Sequence, residues 1–148
     1  WKGFDLSAIF AYSIGGYIYN RDITMILHNG SLEGRDWSTE ILKRWTPDNR
    51  YTDVPALSTT SNNWNSASTR FLQNNSYMRL KNLTLSYNLP KQWISKLSLS
   101  SVQVYVQGDN LFTIHRNQGL DPEQGITGIT YYRYPAMRTI SGGINLSF

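Results

Sequence analysis

From Lys2 to Ile14 the chain alternates, with Phe4, Leu6, Ala8, Phe10, Tyr12 and Ile14 at even positions and Gly3, Asp5, Ser7, Ala11 and Ser13 among the odd ones. Period two predicts a strand with one apolar side, and about 9–11 residues suffice to cross a bilayer at barrel tilt. A second run is predicted from about Ser68 to Leu89, where Leu83, Leu85, Tyr87 and Leu89 oppose Thr84, Ser86 and Asn88. Its upper half is out of phase: extending the apolar set backwards would send Lys81 and Arg79 towards lipid, although Met78 and Leu80 are the apolar pair. A lipid-facing cation costs up to about 2–4 kcal/mol at mid-bilayer, so a β-bulge is predicted near Lys81-Asn82 that returns both cations to the lumen.

A third strand is predicted from about Leu99 to Thr113, with Val102, Val104 and Val106 opposite Gln103, Tyr105 and Gln107. The last is the cleanest, Ile140, Gly142, Ile144, Leu146 and Phe148 alternating with Thr139, Ser141, Gly143, Asn145 and Ser147. Residues 15–67 carry turn formers such as Asn29-Gly30, Gly34 and Ser61-Asn62-Asn63. Within them a short helix is predicted from Trp37 to Trp45, capped by Asp36 and stopped by Pro47, with Trp37, Ile41 and Trp45 on one face. Pro90 ends the second strand, Lys91 to Lys96 reads as a short turn with a helical turn around Trp93 and Ile94, and His115 to Tyr134 is a Gly-rich loop.

Strand, long loop, strand, short turn, strand, medium loop, strand is an order that fits one orientation. Short connections belong to the periplasmic side of a bacterial barrel, which makes both long loops extracellular and leaves Phe148 in the periplasm. The fold expected is all-β, a segment of a large transmembrane antiparallel barrel. Four amphipathic strands have two open edges and cannot close, since such barrels start at about 8 strands. Residues 1–148 are therefore expected to be a C-terminal fragment whose plug and N-terminal regions lie outside it. The opening on Trp1, without an initiator Met or an apolar leader, fits that expectation.

Composition changes this picture little. No stretch approaches the ~18 apolar residues of a membrane helix, and mean hydropathy is −0.42. Alternating lipid-facing and lumen-facing residues average hydropathy towards zero, so that value does not weigh against a barrel. The net charge of +4 comes from dispersed Lys and Arg and not from a basic block, so nucleic acid is not an expected partner. The absence of cysteine removes disulfide and thiolate chemistry. Aromatic residues make up 14% of the chain, enough for girdles at two lipid interfaces or for a carbohydrate-binding surface.

Several strings then carry a specific likeness: Trp1-Lys2-Gly3-Phe4-Asp5-Leu6-Ser7, Arg44-Trp45-Thr46-Pro47 and Ser76-Tyr77-Met78-Arg79-Leu80-Lys81-Asn82-Leu83-Thr84-Leu85-Ser86-Tyr87. They are followed by Val104-Tyr105-Val106-Gln107-Gly108-Asp109-Asn110-Leu111-Phe112-Thr113, by Gly119-Leu120-Asp121-Pro122-Glu123, and by the close from Tyr134-Pro135 to Phe148. In this order they resemble the end of SusC/RagA-type TonB-dependent transporters. The resemblance implies an outer-membrane importer of oligosaccharides or peptides with a plug. Its implied partners are a SusD-like surface lipoprotein and the TonB complex, the latter engaged through N-terminal parts not in this chain. No cofactor is implied.

The candidate sites follow. Ile140, Ile144, Leu146 and the terminal Phe148 look like the signal read by the barrel-assembly machinery. Trp37, Trp45, Trp64, Tyr131 and Tyr132 are candidates to touch solute or lid, against the plainer reading that they make small cores inside loops. Arg79 and Lys81 are candidates for the lumen wall. Catalysis is not expected, because His28 and His115 lack a second His at metal spacing and Asp121-Pro122-Glu123 reads as a turn. Asp48, Asn49 and Asp53 lack a full calcium-loop signature. The competing class is a soluble β-sandwich carbohydrate-binding module, which would bury Phe4, Leu6, Phe10, Val102, Val104, Val106, Ile144 and Leu146 beneath a second sheet.

Overall fold

The computed structural model describes residues 2–30, 32, 34–60, 66–95, 98–117, 119–123 and 127–148. In chain order its elements are β1 (Phe4–Ser13), β2 (Tyr17–Asn20), α1 (Arg21–Ile26), β3 (Leu72–Asn74), β4 (Tyr77–Asn88), α2 (Lys91–Ile94), β5 (Ser101–His115), β6 (Ile129–Thr130) and β7 (Thr139–Ser147). Among the described residues there are also the 3-10 turns Thr39–Lys43 and Thr69–Phe71. The chain divides into a wall unit (Trp1–Gly15, Asn75–Arg116, Pro135–Phe148) and a loop unit (Gly16–Asn74, Asn117–Tyr134).

The wall is one four-stranded sheet in the order β1-β4-β5-β7, antiparallel throughout. Register brings the apolar sets of all four strands into line: Phe4, Tyr87, Val104 and Ile144 form one row, and Leu6, Leu85, Val106 and Gly142 the next. Rows two residues apart share a face, so the sheet has one apolar side and one polar side. The apolar side is open, with Leu6 71%, Phe10 52%, Val106 48% and Ile144 63% exposed. Water would tolerate neither this area nor its contiguity, because soluble chains rarely expose apolar patches beyond a few hundred Å². A sandwich would have covered these residues, and no such cover forms. Val102 alone of the expected set is buried, at the end of β5 against which α2 packs and near which Ile94 is also buried.

The expected bulge is present, and it falls on Lys81. On one side β4 pairs Asn82 with Ile9 and Leu80 with Phe10; on the other it pairs Asn82 with Asp109 and Leu80 with Phe112. Both registers therefore shift across Lys81. Skipping one residue shifts parity, so Leu80 and Met78 join the face of Leu83 and Leu85, while Arg79 joins that of Asn82 and Thr84. On β5 two residues, Asn110 and Leu111, span the same level. Asn110 adopts φ +53, the left-handed conformation that Asn tolerates better than most side chains. Leu111 then lies over Gly108, where an added Cβ would come within 2.7 Å of its Cδ2, so a larger residue here would have to displace the Leu111 side chain.

Three expectations need correction. The run from Ser68 to Leu89 is not one strand: it breaks at Asn75-Ser76, and Leu72–Asn74 pairs with Tyr17–Tyr19 in a second sheet. The helix from Trp37 to Trp45 shrinks to the 3-10 turn Thr39–Lys43, capped by the Ser38 hydroxyl and not by Asp36. Trp37 and Trp45 lie outside that turn, and only Ile41 of the expected face is buried in it. Finally, the two excursions expected to be loops carry short strands that meet in the loop unit, where β6 pairs in parallel with β2 and the sheet order is β3-β2-β6.

The depth and sidedness of the wall can be measured. Leu83 lies near mid-height on the apolar side, so Leu83→Arg in the complete barrel should lower stability by about 2–4 kcal/mol. Ser7→Arg, on the polar face, should cost under about 1 kcal/mol by the same reasoning. Urea unfolding from phospholipid vesicles measures both, and equal costs would contradict the assignment of faces.

Candidate functional site

The polar face of the wall is a hydrogen-bonded side-chain lattice. Near one end Asn145 donates to Gln103 Oε1 (3.1 Å), Gln103 donates to the Ser86 hydroxyl (3.3 Å), and Asn88 donates to Asp5 (2.7 Å). At the level of the bulge the Asp109 carboxylate accepts from Asn82 Nδ2 (2.8 Å) and from Gln107 Nε2 (3.1 and 3.2 Å to its two oxygens). One step further on, Arg79 is 3% exposed and donates from Nε to Thr113 Oγ1 at 2.8 Å. A surface of alternating acceptors and donors with one buried cation suits a hydrated solute path.

The loop unit has its own small core of Ile18, Ile41, Val54 and Phe71, with Tyr19 edge-on to Phe71 at 6.1 Å. The Asn20 side chain caps α1 by accepting from Ile23 N, which uses a buried amide to end β2 and start the helix. Beside α1 lies a recess of about 230 Å³ lined by Ile23, Ile26 and Leu27, with Asp22 and Glu40 also on its walls. Past β6, the Tyr131 and Tyr132 rings stand 4.2 Å apart, and the Arg21 guanidinium sits 4.8 Å from the Tyr131 centroid. Tyr132 holds φ +49, and its backbone N–H donates to Asp22 Oδ1 at 3.0 Å. Such strain in a residue with a bulky side chain persists only when neighbours over-determine it. The hydrogen bond shared with the Tyr132 hydroxyl, followed by burial, raises the Tyr131 phenol above its ordinary value.

No protein-family model matches the chain. Among known proteins it is similar to TonB-dependent receptor P3 of Formosa agariphila, at 33% identity over 159 residues, covering 100% of this chain and 15% of that receptor. It is also similar to the TonB-dependent receptor SusC of Bacteroides thetaiotaomicron, at 29% identity over 149 residues, covering 100% of this chain and 14% of SusC. Among solved structures, the RagAB peptide importer superposes in its open-open state with a TM-score of 0.88 at 36% identity, and in its closed-closed state with 0.85 at 35%. Each alignment covers 100% of this chain and 16% of the other. The chain belongs to the SusC/RagA family of TonB-dependent receptors. It matches the C-terminal part of the barrel and spans about 15% of the length of these relatives.

Within this receptor segment the sites expected from sequence are dispersed. Ile140, Ile144 and Leu146 lie on the apolar face of β7, and Phe148 follows its last paired residue; all four are exposed. Arg79 lies on the polar face and Lys81 occupies the bulge. Tyr131 and Tyr132 come together, whereas Trp45 joins no ring pair among the described residues and is tied by its backbone N–H to Val54 O. Trp64 lies outside the described residues. Asn49, weighed as a calcium ligand, instead donates its amide to the Lys43 and Arg44 carbonyls.

Sequence reading missed Arg21 and Asp22, and the role of His28. Asp22 meets Tyr132 across 110 positions, and no local pattern signals a contact at that range. His28 was weighed only as a metal ligand, and it is a buried wedge. Its Nδ1 accepts from Trp37 Nε1 (3.1 Å) and Gly30 N (3.4 Å), and the Trp37 ring stands edge-on at 5.2 Å. An Nδ1 that accepts twice requires the neutral tautomer with its proton on Nε2. Burial lowers the His28 pKa below its ordinary value of 6.5; the charge of Arg35 lowers it further, opposed by a hydrogen bond to the Arg35 backbone.

A depressed histidine contributes stability that is complete above its unfolded value and is lost as pH falls towards the folded one. Amide protection around His28 and Trp37 should therefore weaken as pH drops below 6.5. Hydrogen exchange corrected for intrinsic rates measures this. His28→Gln should flatten the dependence, and a pH-independent wild type would refute the account.

Proposed function

We propose that the complete protein is an outer-membrane, TonB-dependent importer of oligomeric nutrients, oligosaccharides or peptides. In this reading the four strands supply part of the barrel wall, the loop unit supplies extracellular surface, and β7 is the closing strand. The observation that carries it is the open apolar side of the wall opposite a bonded polar side, because only a lipid-embedded sheet needs both. Kinship with SusC and RagAB supports it further. Arg79 and Lys81 belong to the solute-facing wall. Trp37, Trp45, Trp64, Tyr131 and Tyr132 are the contacts offered to solute or to a SusD-like surface lipoprotein. Coupling to the TonB complex falls to regions outside this chain.

Ile140, Ile144, Leu146 and Phe148 act as the recognition strand for the barrel-assembly machinery. An extended strand with an unpaired edge and a terminal aromatic can add to an open seam by backbone pairing. This reading predicts no catalytic activity and no cofactor.

Two measurements test it. Cells lacking the receptor should lose growth on one class of oligosaccharide or peptide while growing normally on its monomers. Unchanged uptake across both pools would overturn the import reading. Deleting Phe148 should reduce heat-modifiable receptor in the outer membrane several-fold with synthesis unchanged, and normal assembly would remove the role given to the terminal strand.

A further inference from the structure

The apolar face of the wall ends, on three adjacent strands, in the row Tyr12, Met78 and Ile114. Ile14, Ser76 and Arg116 lie two positions further along the same chains, just beyond the ends of β1, β4 and β5. All six, with Ser13, Tyr77 and His115, line one groove of about 390 Å³. Its origin is a matter of size: Ser76 is small, and its hydroxyl is turned to accept from Gly15 N at 3.0 Å, leaving a hollow between Ile14 and Arg116. Among the described residues no carboxylate lies within ion-pair range of Arg116, which is exposed.

Height decides what this groove meets. Val102 and Ile114 are separated along β5 by a rise of roughly 28 Å at about 45° tilt, against an apolar band about 25 Å tall. Ile114 therefore closes the hydrocarbon band, and Arg116 stands at headgroup level on the side of the long loops. An apolar trough continuous with the lipid-facing surface and ending in a bare guanidinium is complementary to an anionic amphiphile. Arg is the side chain whose planar fork suits phosphate oxygens.

We propose that this groove is a binding site for a phosphorylated glycolipid of the outer leaflet, one acyl chain lying along Tyr12, Met78 and Ile114 and a phosphate meeting Arg116. The proposal rests on the outer-membrane placement above. Bound there, the lipid would brace β1, β4 and β5 where they pass into the loops.

The test is native mass spectrometry of the complete receptor in mild detergent, titrated with diphosphorylated lipid A, its dephosphorylated form, phosphatidylglycerol and inorganic phosphate. Wild type should retain diphosphorylated lipid A. Arg116→Gln should lower retention about ten-fold, the size expected for losing one charge-assisted contact. Ser76→Leu, which fills the hollow and leaves the cation, should lower it comparably. Heat-modifiable gel mobility reports that both variants still form barrels. Equal retention by Arg116→Gln, or of the dephosphorylated form, overturns the phosphate contact, and equal retention by Ser76→Leu overturns the acyl groove. Equal retention of phosphatidylglycerol overturns the glycolipid assignment, and displacement of lipid by inorganic phosphate overturns the amphiphile. A receptor absent from the outer membrane would count against the import reading instead, since Arg116 dependence is scored only on receptor recovered there.

Discussion

Hydrocarbon offers no water to an unpaired peptide group, so a sheet that crosses it must pair every backbone N–H and C=O with another strand and turn a continuous apolar side to the lipid. Everything in the wall unit answers to that constraint. β4 and β5 are paired on both sides, whereas β1 and β7 are the two edges of the sheet among the described residues. Such edges are satisfied only by further strands of a closed barrel, in keeping with a chain that matches one part of a much longer receptor. The side chains obey the same rule, with lattices of amide, hydroxyl and carboxylate groups on one face and bare aliphatic and aromatic groups on the other.

The bulge is where the constraint and the sequence conflict locally and are reconciled. Arg79 and Lys81 have the parity of the apolar set, and a straight strand would push two cations into lipid at a cost comparable to a large share of ordinary domain stability. The register shift at Lys81 restores Arg79 to Thr113 on the polar side and leaves Leu80 and Met78 to the apolar one. The neighbouring strand bears the geometric consequence, through the left-handed Asn110 and a glycine beneath Leu111. Thus Gly108, Asp109, Asn110 and Leu111 form one device: space, acceptor, turn and cover.

The loop unit is built on a different principle. It uses Asn20 to cap α1 and the Nδ1 of neutral His28 to hold Trp37 and Gly30, while His28 Nε2 and Thr130 Oγ1 are buried without a partner among the described residues. The cluster of Arg21, Asp22, Tyr131 and Tyr132 joins the first excursion to the second beside the β2–β6 pairing. Aromatic faces presented beside a cation, on a strained backbone held from below, are rigid contact area at low entropic cost.

Alternation by itself determined the four wall strands, their sidedness, the helical turn at Trp93 and Ile94, and the bulge, because period two and the cost of a lipid-facing charge are local properties readable one residue at a time. Family likeness in the same strings pointed to the receptor class. What only the tertiary structure decided lies in long-range pairing. Leu72–Asn74 left the wall strand for a second sheet, Ser38 displaced Asp36 as a cap, and two loops became one unit around β2. Short strands of two to four residues carry too little periodicity to be seen in sequence, and their partners were chosen by burial of Ile18, Phe71 and Thr130 across more than fifty positions of chain. The groove beside Arg116 had no sequence signal either, since it arises from a small Ser76 placed between two neighbours that only the register of three strands brings together.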